Sequence, residues 1–350
     1  MRISLLSLFA CLFSAVTLVA QDARFSQFYK TPMQLNPALS GVFDGRYRVQ
    51  VNYRSLYSSL LSEQSFRTYH ASYEYRMQSG SEDYFALHGT ALYDAVGAAS
   101  FERLNLMGGG AYHKQLGGGR YAQATHYLGV GAQFGLGQYG INSSELWFFN
   151  QYDAQRQQID RDLPSGEALD GSMNTVFLDL AAGLLWYAVF DEQNSIFVGL
   201  AMHHLSTPNI AMLPGQEDLL DPRYVAHMGA AIGISRELTL LPRAAVQMQG
   251  SALSLSAGLN VRYSNNDWKE LKLRAGAWPH MVNTGEQGVG IDAVVFATIF
   301  EFEKWNLGLS YDATVSALRR SNYARGAFEI SLTFLQPGNF GRSKVTCPTY

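Results

Sequence analysis

WNLGLSYDATV, residues 305–315, alternates without exception. Trp305, Leu307, Leu309, Tyr311, Ala313 and Val315 form one set, and Asn306, Gly308, Ser310, Asp312 and Thr314 the other. Successive side chains of a β-strand point to opposite faces, so this stretch makes one apolar face and one small or polar face. It is also about as long as a tilted strand must be to cross a bilayer. RYRVQVNYR (46–54) repeats the pattern, with Tyr47, Val49, Val51 and Tyr53 opposite Arg46, Arg48, Gln50, Asn52 and Arg54. LSLSAGLNVRY (253–263), LKLRAGA (271–277) and AFEISLTF (327–334) obey the same rule.

Carried along the chain, this reading predicts fourteen strands: 45–54, 65–76, 84–93, 105–115, 121–137, 174–187, 195–205, 224–235, 238–249, 252–263, 270–278, 289–301, 305–316 and 326–335. An even number suits a single-chain bacterial outer-membrane barrel, which has short periplasmic turns and longer outside loops. With a periplasmic N-terminus, the expected turns are 77–83, 116–120, 188–194, 236–237, 264–269 and 302–304. The expected outside loops are 55–64, 94–104, 138–173, 206–223, 250–251, 279–288 and 317–325; all but Gly250-Ser251 are longer than any of the turns. The fold class is therefore all-β, a transmembrane antiparallel β-barrel of about 14 strands with an N-terminal periplasmic segment, in the outer membrane of a Gram-negative bacterium.

Composition agrees. The chain has 20 Tyr, 20 Phe, 5 Trp and 33 Gly but only 16% charged residues, while mean hydropathy stays near zero. Aromatic girdles and strands that alternate lipid-facing with lumen-facing residues give that combination. MRISLLSLFACLFSAVTLVA (1–20) reads as a secretory signal, with Arg2, an apolar core and Ala20 before the cut. A transmembrane helix lacks a stop-transfer flank, and a lipoprotein cut before Cys11 would leave too short a core. Cleavage removes Cys11, so Cys347 is left without a partner in its own chain and no internal disulfide framework forms. We expect Cys347 not to be catalytic. The formal net charge of −3 loses one more positive charge with Arg2, and nothing points to nucleic acid.

The chemical motifs are weak. GVGAQFG (129–135) has the look of a phosphate loop, but its glycines continue a strand and suit crowded positions in a barrel wall. His203 and His204, as neighbours on a strand, should point to opposite faces and not converge on a metal. Asp153, Asp160, Asp162, Glu167 and Asp170 in the 138–173 loop lack the calcium-loop spacing, with Pro164 where a ligand is needed. Ser310, Asp312 and His280 have no nucleophile-elbow context. No catalytic, cofactor-binding or metal-binding residue is assigned, no cofactor is expected, and the chain is not read as an enzyme.

One stretch fits no strand. QDARFSQFYKTPMQLNPALSG (21–41) carries Phe25, Phe28 and Tyr29, two prolines and the Asn36-Pro37 turn signal. Disordered leaders are usually poor in aromatics, so we expect this stretch to be ordered, folded into the periplasmic mouth of the barrel. The domain reading is 1–20 signal peptide, 21–44 N-terminal periplasmic segment, 45–335 barrel and 336–350 C-terminal tail.

Over essentially the whole mature chain, the sequence resembles the PorP/SprF membrane proteins of the type IX secretion system. The carrying stretches are FSQFYKTPMQLNPALSG (25–41), NYRS (52–55), VGLAMHHLSTPN (198–209), LPRAAVQMQG (241–250), LSLSAGLNVRY (253–263), LGLSYDATVSAL (307–318), GAFEISLTF (326–334) and Cys347-Pro348. LRAGAWPHM (273–281) departs from the family in being less basic at the strand end. The resemblance implies a barrel seated in outer-membrane lipid that serves secretion or surface attachment of cargo such as gliding adhesins. It also implies partners: the C-terminal sorting domain of a cargo protein, the periplasmic lipoprotein ring and other type IX components, and a tail contact at Cys347. From the barrel pattern alone, a general porin or hydrophobic-solute channel is the alternative.

Overall fold

The computed structural model describes residues 22–337 except 80–81, 98–100, 119–122, 143–145, 167–171, 266–270 and 284–287. The signal peptide, Glu167, Asp170 and the tail with Cys347 lie outside the described residues. The strands are β1 (Tyr47–Leu56), β2 (Phe66–Ser79), β3 (Asp83–Val96), β4 (Phe101–Gly117), β5 (Thr125–Asn142), β6 (Tyr152–Asp153), β7 (Gln158–Ile159), β8 (Ser172–Val189), β9 (Ser195–His203), β10 (Arg223–Gly233), β11 (Leu238–Gln249), β12 (Ala252–Ser264), β13 (Leu271–Asn283), β14 (Val289–Phe302), β15 (Trp305–Thr314) and β16 (Arg325–Gln336). All but β6 and β7 form one closed antiparallel barrel, each strand paired with its neighbour in sequence. β1 closes on β16 from Tyr47↔Gln336 to Leu56↔Ala327, so the sheet has no free edge. β6 and β7 form a small hairpin in the connection between β5 and β8. Each of the fourteen segments expected from periodicity corresponds to one barrel strand.

Burial is inverted relative to a water-soluble protein. On β1, Arg48, Gln50, Asn52 and Arg54 are buried, whereas Val51 is 50% exposed. Phe134, Val176, Leu178, Leu184 and Leu200 stand out from other strands in the same way. A lipid-facing wall requires this, because apolar side chains meet hydrocarbon and the closed ladder satisfies every backbone group. At one end Tyr47 packs beside Tyr73 and Phe334, and Phe334 beside Trp305, a run of aromatics at interface height.

The connections alternate less sharply than expected. At that end they are the turns 80–82, 118–124, 190–194, 234–237, 265–270 and 303–304. At the other end, 57–65, 143–171, 204–222 and 315–324 are long, but 97–100, 250–251 and 284–288 are not. Strand extends into the expected loops 94–104 and 279–288, since β3 and β4 stay paired up to Val96↔Phe101 and β13 and β14 up to Asn283↔Val289. Paired strands satisfy their own N–H and C=O groups in any solvent, so hairpins continue past the apolar band.

The core lies in the lumen. Phe28, Tyr29, Leu35, Ala38, Leu39 and Val42 of the N-terminal stretch cluster with wall residues including Tyr84, Tyr187, Leu185, Trp278 and Ile299.

Candidate functional site

Residues 22–46 run through the lumen from end to end. Arg46, entering β1, donates its N–H to the Gln336 carbonyl at the short-turn end. Asp22 lies at the long-loop end, against Arg223 at the start of β10 and Gln249 at the end of β11. This corrects two expectations: the stretch occupies the whole lumen instead of its mouth, and the first described residue is not on the short-turn side. The physical reason is length, because 25 residues with short helical turns suffice to cross the barrel while burying all their aromatics.

Local chemistry sets its path. Pro32 and Pro37 each open a single helical turn, Pro32–Leu35 and Pro37–Leu39, where a missing N–H is tolerated. Between them Asn36 is extended, and its Oδ1 caps the second turn by accepting from the Ala38 N–H at 2.8 Å. Asn36 Nδ2 donates to the carbonyls of Leu184 (2.9 Å) and Leu200 (3.2 Å) in the wall. Wall glycines make the approach possible. A Cβ on Gly131 would overlap the backbone of Pro37 and Ala38, and one on Gly183 would overlap the Asn36 side chain.

Buried charges hold the segment to the wall. Glu329 accepts from the backbone N–H groups of Ser26 (2.6 Å) and Gln27 (3.2 Å), and Glu74 accepts from Gly41 (3.0 Å) while paired with Arg48 at 2.6 Å. Arg54 donates to Asp312 (3.1 Å), to Ser26 Oγ (3.2 Å) and to the Arg24 carbonyl (3.0 Å). Arg76 donates to the Phe43 carbonyl at 2.8 Å and lies over the Tyr84 ring. Breaking such a buried pair from one side costs roughly 3–5 kcal/mol, because the other charge is left uncompensated.

The residues weighed for chemistry go elsewhere. Asp312 bonds Arg54 and Ser26, Ser310 accepts from Gln27, and His280 pairs with Ser256 Oγ at 2.9 Å, so the three do not form a triad. The carboxylates of Asp153 and Asp160 accept from backbone N–H groups of their own turns. No group of three potential metal ligands occurs among the described residues. The reading of His203 and His204 needs correction. The strand stops at His203, and His204 is left-handed at φ 57°, so both rings turn inward and are buried.

His204 is the centre of a charged cluster that sequence reasoning missed. Its Nδ1 pairs with Asp179 at 2.9 Å and its Nε2 with Asp22 at 2.7 Å, while Arg223 reaches Asp22 at 3.3 Å. Burial depresses the imidazole pKa, but the two carboxylates outweigh burial and raise it to about 9. Burial would raise the Asp22 carboxyl, and His204, Arg223 and Arg103 more than reverse that, holding it well below the usual carboxylate range. The part of this rise that comes from Asp22 stabilises the docked segment while His204 is protonated, and that contribution is lost as pH rises through about 9. Cleavage of residues 22–27 by added protease is therefore expected to stay low at pH 7 and 8 and to rise above pH 9. Equal cleavage at pH 7 and 10.5 would remove His204 from this role.

A closed barrel with an apolar exterior, a polar interior and aromatics at one rim defines an outer-membrane β-barrel protein. The particular family follows from sequence. The chain belongs to the type IX secretion system membrane proteins PorP/SprF, whose family profile matches residues 18–334. No curated protein matches the chain. Among solved structures, it is similar to a deltaS2 mutant of the TodX monoaromatic hydrocarbon channel, with 12% identity, TM-score 0.46, and 87% of this chain and 92% of that one covered. It is likewise similar to the Pseudomonas putida toluene transporter TodX (10%, 0.45, 90% and 95%) and to a Pseudomonas aeruginosa FadL homologue (11%, 0.45, 85% and 92%).

Proposed function

We propose that this protein is a non-enzymatic component of the type IX secretion machine that serves secretion or surface attachment of cargo proteins, such as adhesins used in gliding. The observation that supports this reading is a lumen filled by the chain's own residues 22–43, which leaves the rims and loops as the working surfaces. The long loops face outward and receive the C-terminal sorting domain of a cargo protein. The short-turn end meets the periplasmic lipoprotein ring and other secretion components.

The first surface for cargo is the connection between β5 and β8. β5 ends at Asn142, so Trp147 and Phe149 belong to the connection and not to the wall, and they are 50% and 88% exposed. Tyr152, Ile159 and Leu163 extend the apolar patch. Exposed apolar patches of this kind mark interaction sites. Deleting 152–166 is expected to abolish retention of one surface protein while the barrel remains heat-modifiable on gels. Normal retention would move recognition elsewhere. Orientation has its own test: Asp160→Cys should react with a membrane-impermeant label on whole cells and Glu192→Cys should not, and the reverse labelling would invert the barrel.

A further inference from the structure

Asp22 sits in the wall as a ligand sits in a site. It is the first described residue of the threaded segment, tied by its N–H to Gln249 Oε1 at 3.0 Å and by its carboxylate to His204 and Arg223. Asp179 holds the far nitrogen of His204, fixing the imidazole for an anion, and the left-handed backbone at His204 aims it there. Arg103, stacked over Phe101 and Tyr139, supplies a third cation. Without Asp22, His204, Arg223 and Arg103 face Asp179, with Asp94, which accepts from Thr68, the next carboxylate. Arg223 is 5% exposed, and its Nε has no hydrogen-bond partner among the described residues.

We propose that these groups form a carboxylate-binding site that Asp22 fills in the closed state. The site takes the carboxylate of a ligand arriving from the long-loop side, which displaces Asp22. The cavity beside Asp22, lined by Arg103, Asn105, Gln133, Tyr139 and Arg223, has a volume of about 40 Å³. That is room for a few waters and not for a second anchored side chain, so an incoming carboxylate must replace Asp22. Exchange is local because Asp22 belongs to no barrel strand: its release leaves the closed ladder of the wall intact. The site stands independently of the cargo reading.

The test uses the full-length barrel in detergent and a fluorescent tetra-alanine peptide with either a free C-terminal carboxylate or a C-terminal amide. Asp22→Asn removes the internal competitor and should bind the carboxylate peptide about tenfold more tightly than the parent protein, as expected if Asp22 fills the site about nine-tenths of the time. The amide should not bind, and adding Arg223→Gln to Asp22→Asn should abolish binding. Competition by acetate assigns the site to small carboxylates in general, and competition by unlabelled peptide alone assigns it to chain ends; both support the site. In the parent protein, the carboxylate peptide should speed hydrogen exchange of residues 22–27, which checks displacement without any substitution. Equal binding of carboxylate and amide, equal binding by Asp22→Asn and its parent, or no carboxylate-dependent binding by Asp22→Asn overturns the proposal.

Discussion

Removal of residues 22–41, with the export signal kept, is expected to convert a silent barrel into a conducting one. The wall does not need the segment to close, since its fourteen strands pair antiparallel with one another all the way round. Arg48 keeps Glu74 and Arg54 keeps Asp312, both pairs lying within the wall, and water can solvate what the segment leaves behind. The buried Tyr29, Met33, Leu35, Ala38 and Leu39 are lost from the lumen, and these side chains together with their backbone are what obstruct it. In planar bilayers the parent protein should give no stable steps, and the deletion should give large ones. Stable steps from the parent, or silence from a heat-modifiable deletion variant, would contradict a sealing role.

The same measurement weighs secretion against a general porin or solute channel. A porin needs a wide polar passage, and lumen-facing Arg48, Asn52, Asn260, Arg262 and Asp312 are of the right type to line one. In the structure several of them are engaged with the segment: Asn260 accepts from Tyr29, and Asp312 accepts from Ser26. The polar inner face thus solvates a folded stretch of the same chain. Hydrogen bonds to ionised groups in a low dielectric are the stronger kind, which favours a standing closure over a loose leader.

The barrel was legible because its signal is local. Alternation in 305–315 or 46–54 needs only the period of a strand, and those positions carry the burial it implies, with Asp312 and Arg54 inward and Tyr311 outward. Loop lengths were less legible, since hairpin pairing beyond the membrane has no distinct period. The aromatics of 21–41 signalled order but not depth, because depth depends on partners about 180 to 300 residues away, such as His204 and Glu329. His204 was misread for a related reason: whether the strand ends at His203 is decided by the turn that follows. GVGAQFG was correctly placed in a strand, while what crowds its glycines could not be read from the run itself.

Those glycines carry the last prediction. Gly131 faces the lumen, and any side chain there would meet the backbone of Pro37 and Ala38, which cannot rotate aside as a side-chain tip can. Gly140 lies in the same strand, but a Cβ there meets only Met173 O at 3.7 Å and Asn174 Cβ at 3.9 Å, ordinary contacts. Gly131→Leu must push the segment away around Asn36, costing roughly 1–3 kcal/mol of overpacking and weakening the bonds of Asn36 to Leu184 and Leu200. Each 1.4 kcal/mol is tenfold in an equilibrium, so amide exchange across 33–41 should quicken by about ten- to a hundredfold where local opening limits it. Cells carrying Gly131→Leu should become permeable to large antibiotics, whereas those carrying Gly140→Leu should match the parent in both measurements. Gly183→Leu, at the position of β8 paired with Gly131, would meet the Asn36 side chain and should behave like Gly131→Leu. If Gly131→Leu and Gly140→Leu exchange at the same rate across 33–41, close contact between glycine wall and threaded segment does not keep the barrel shut.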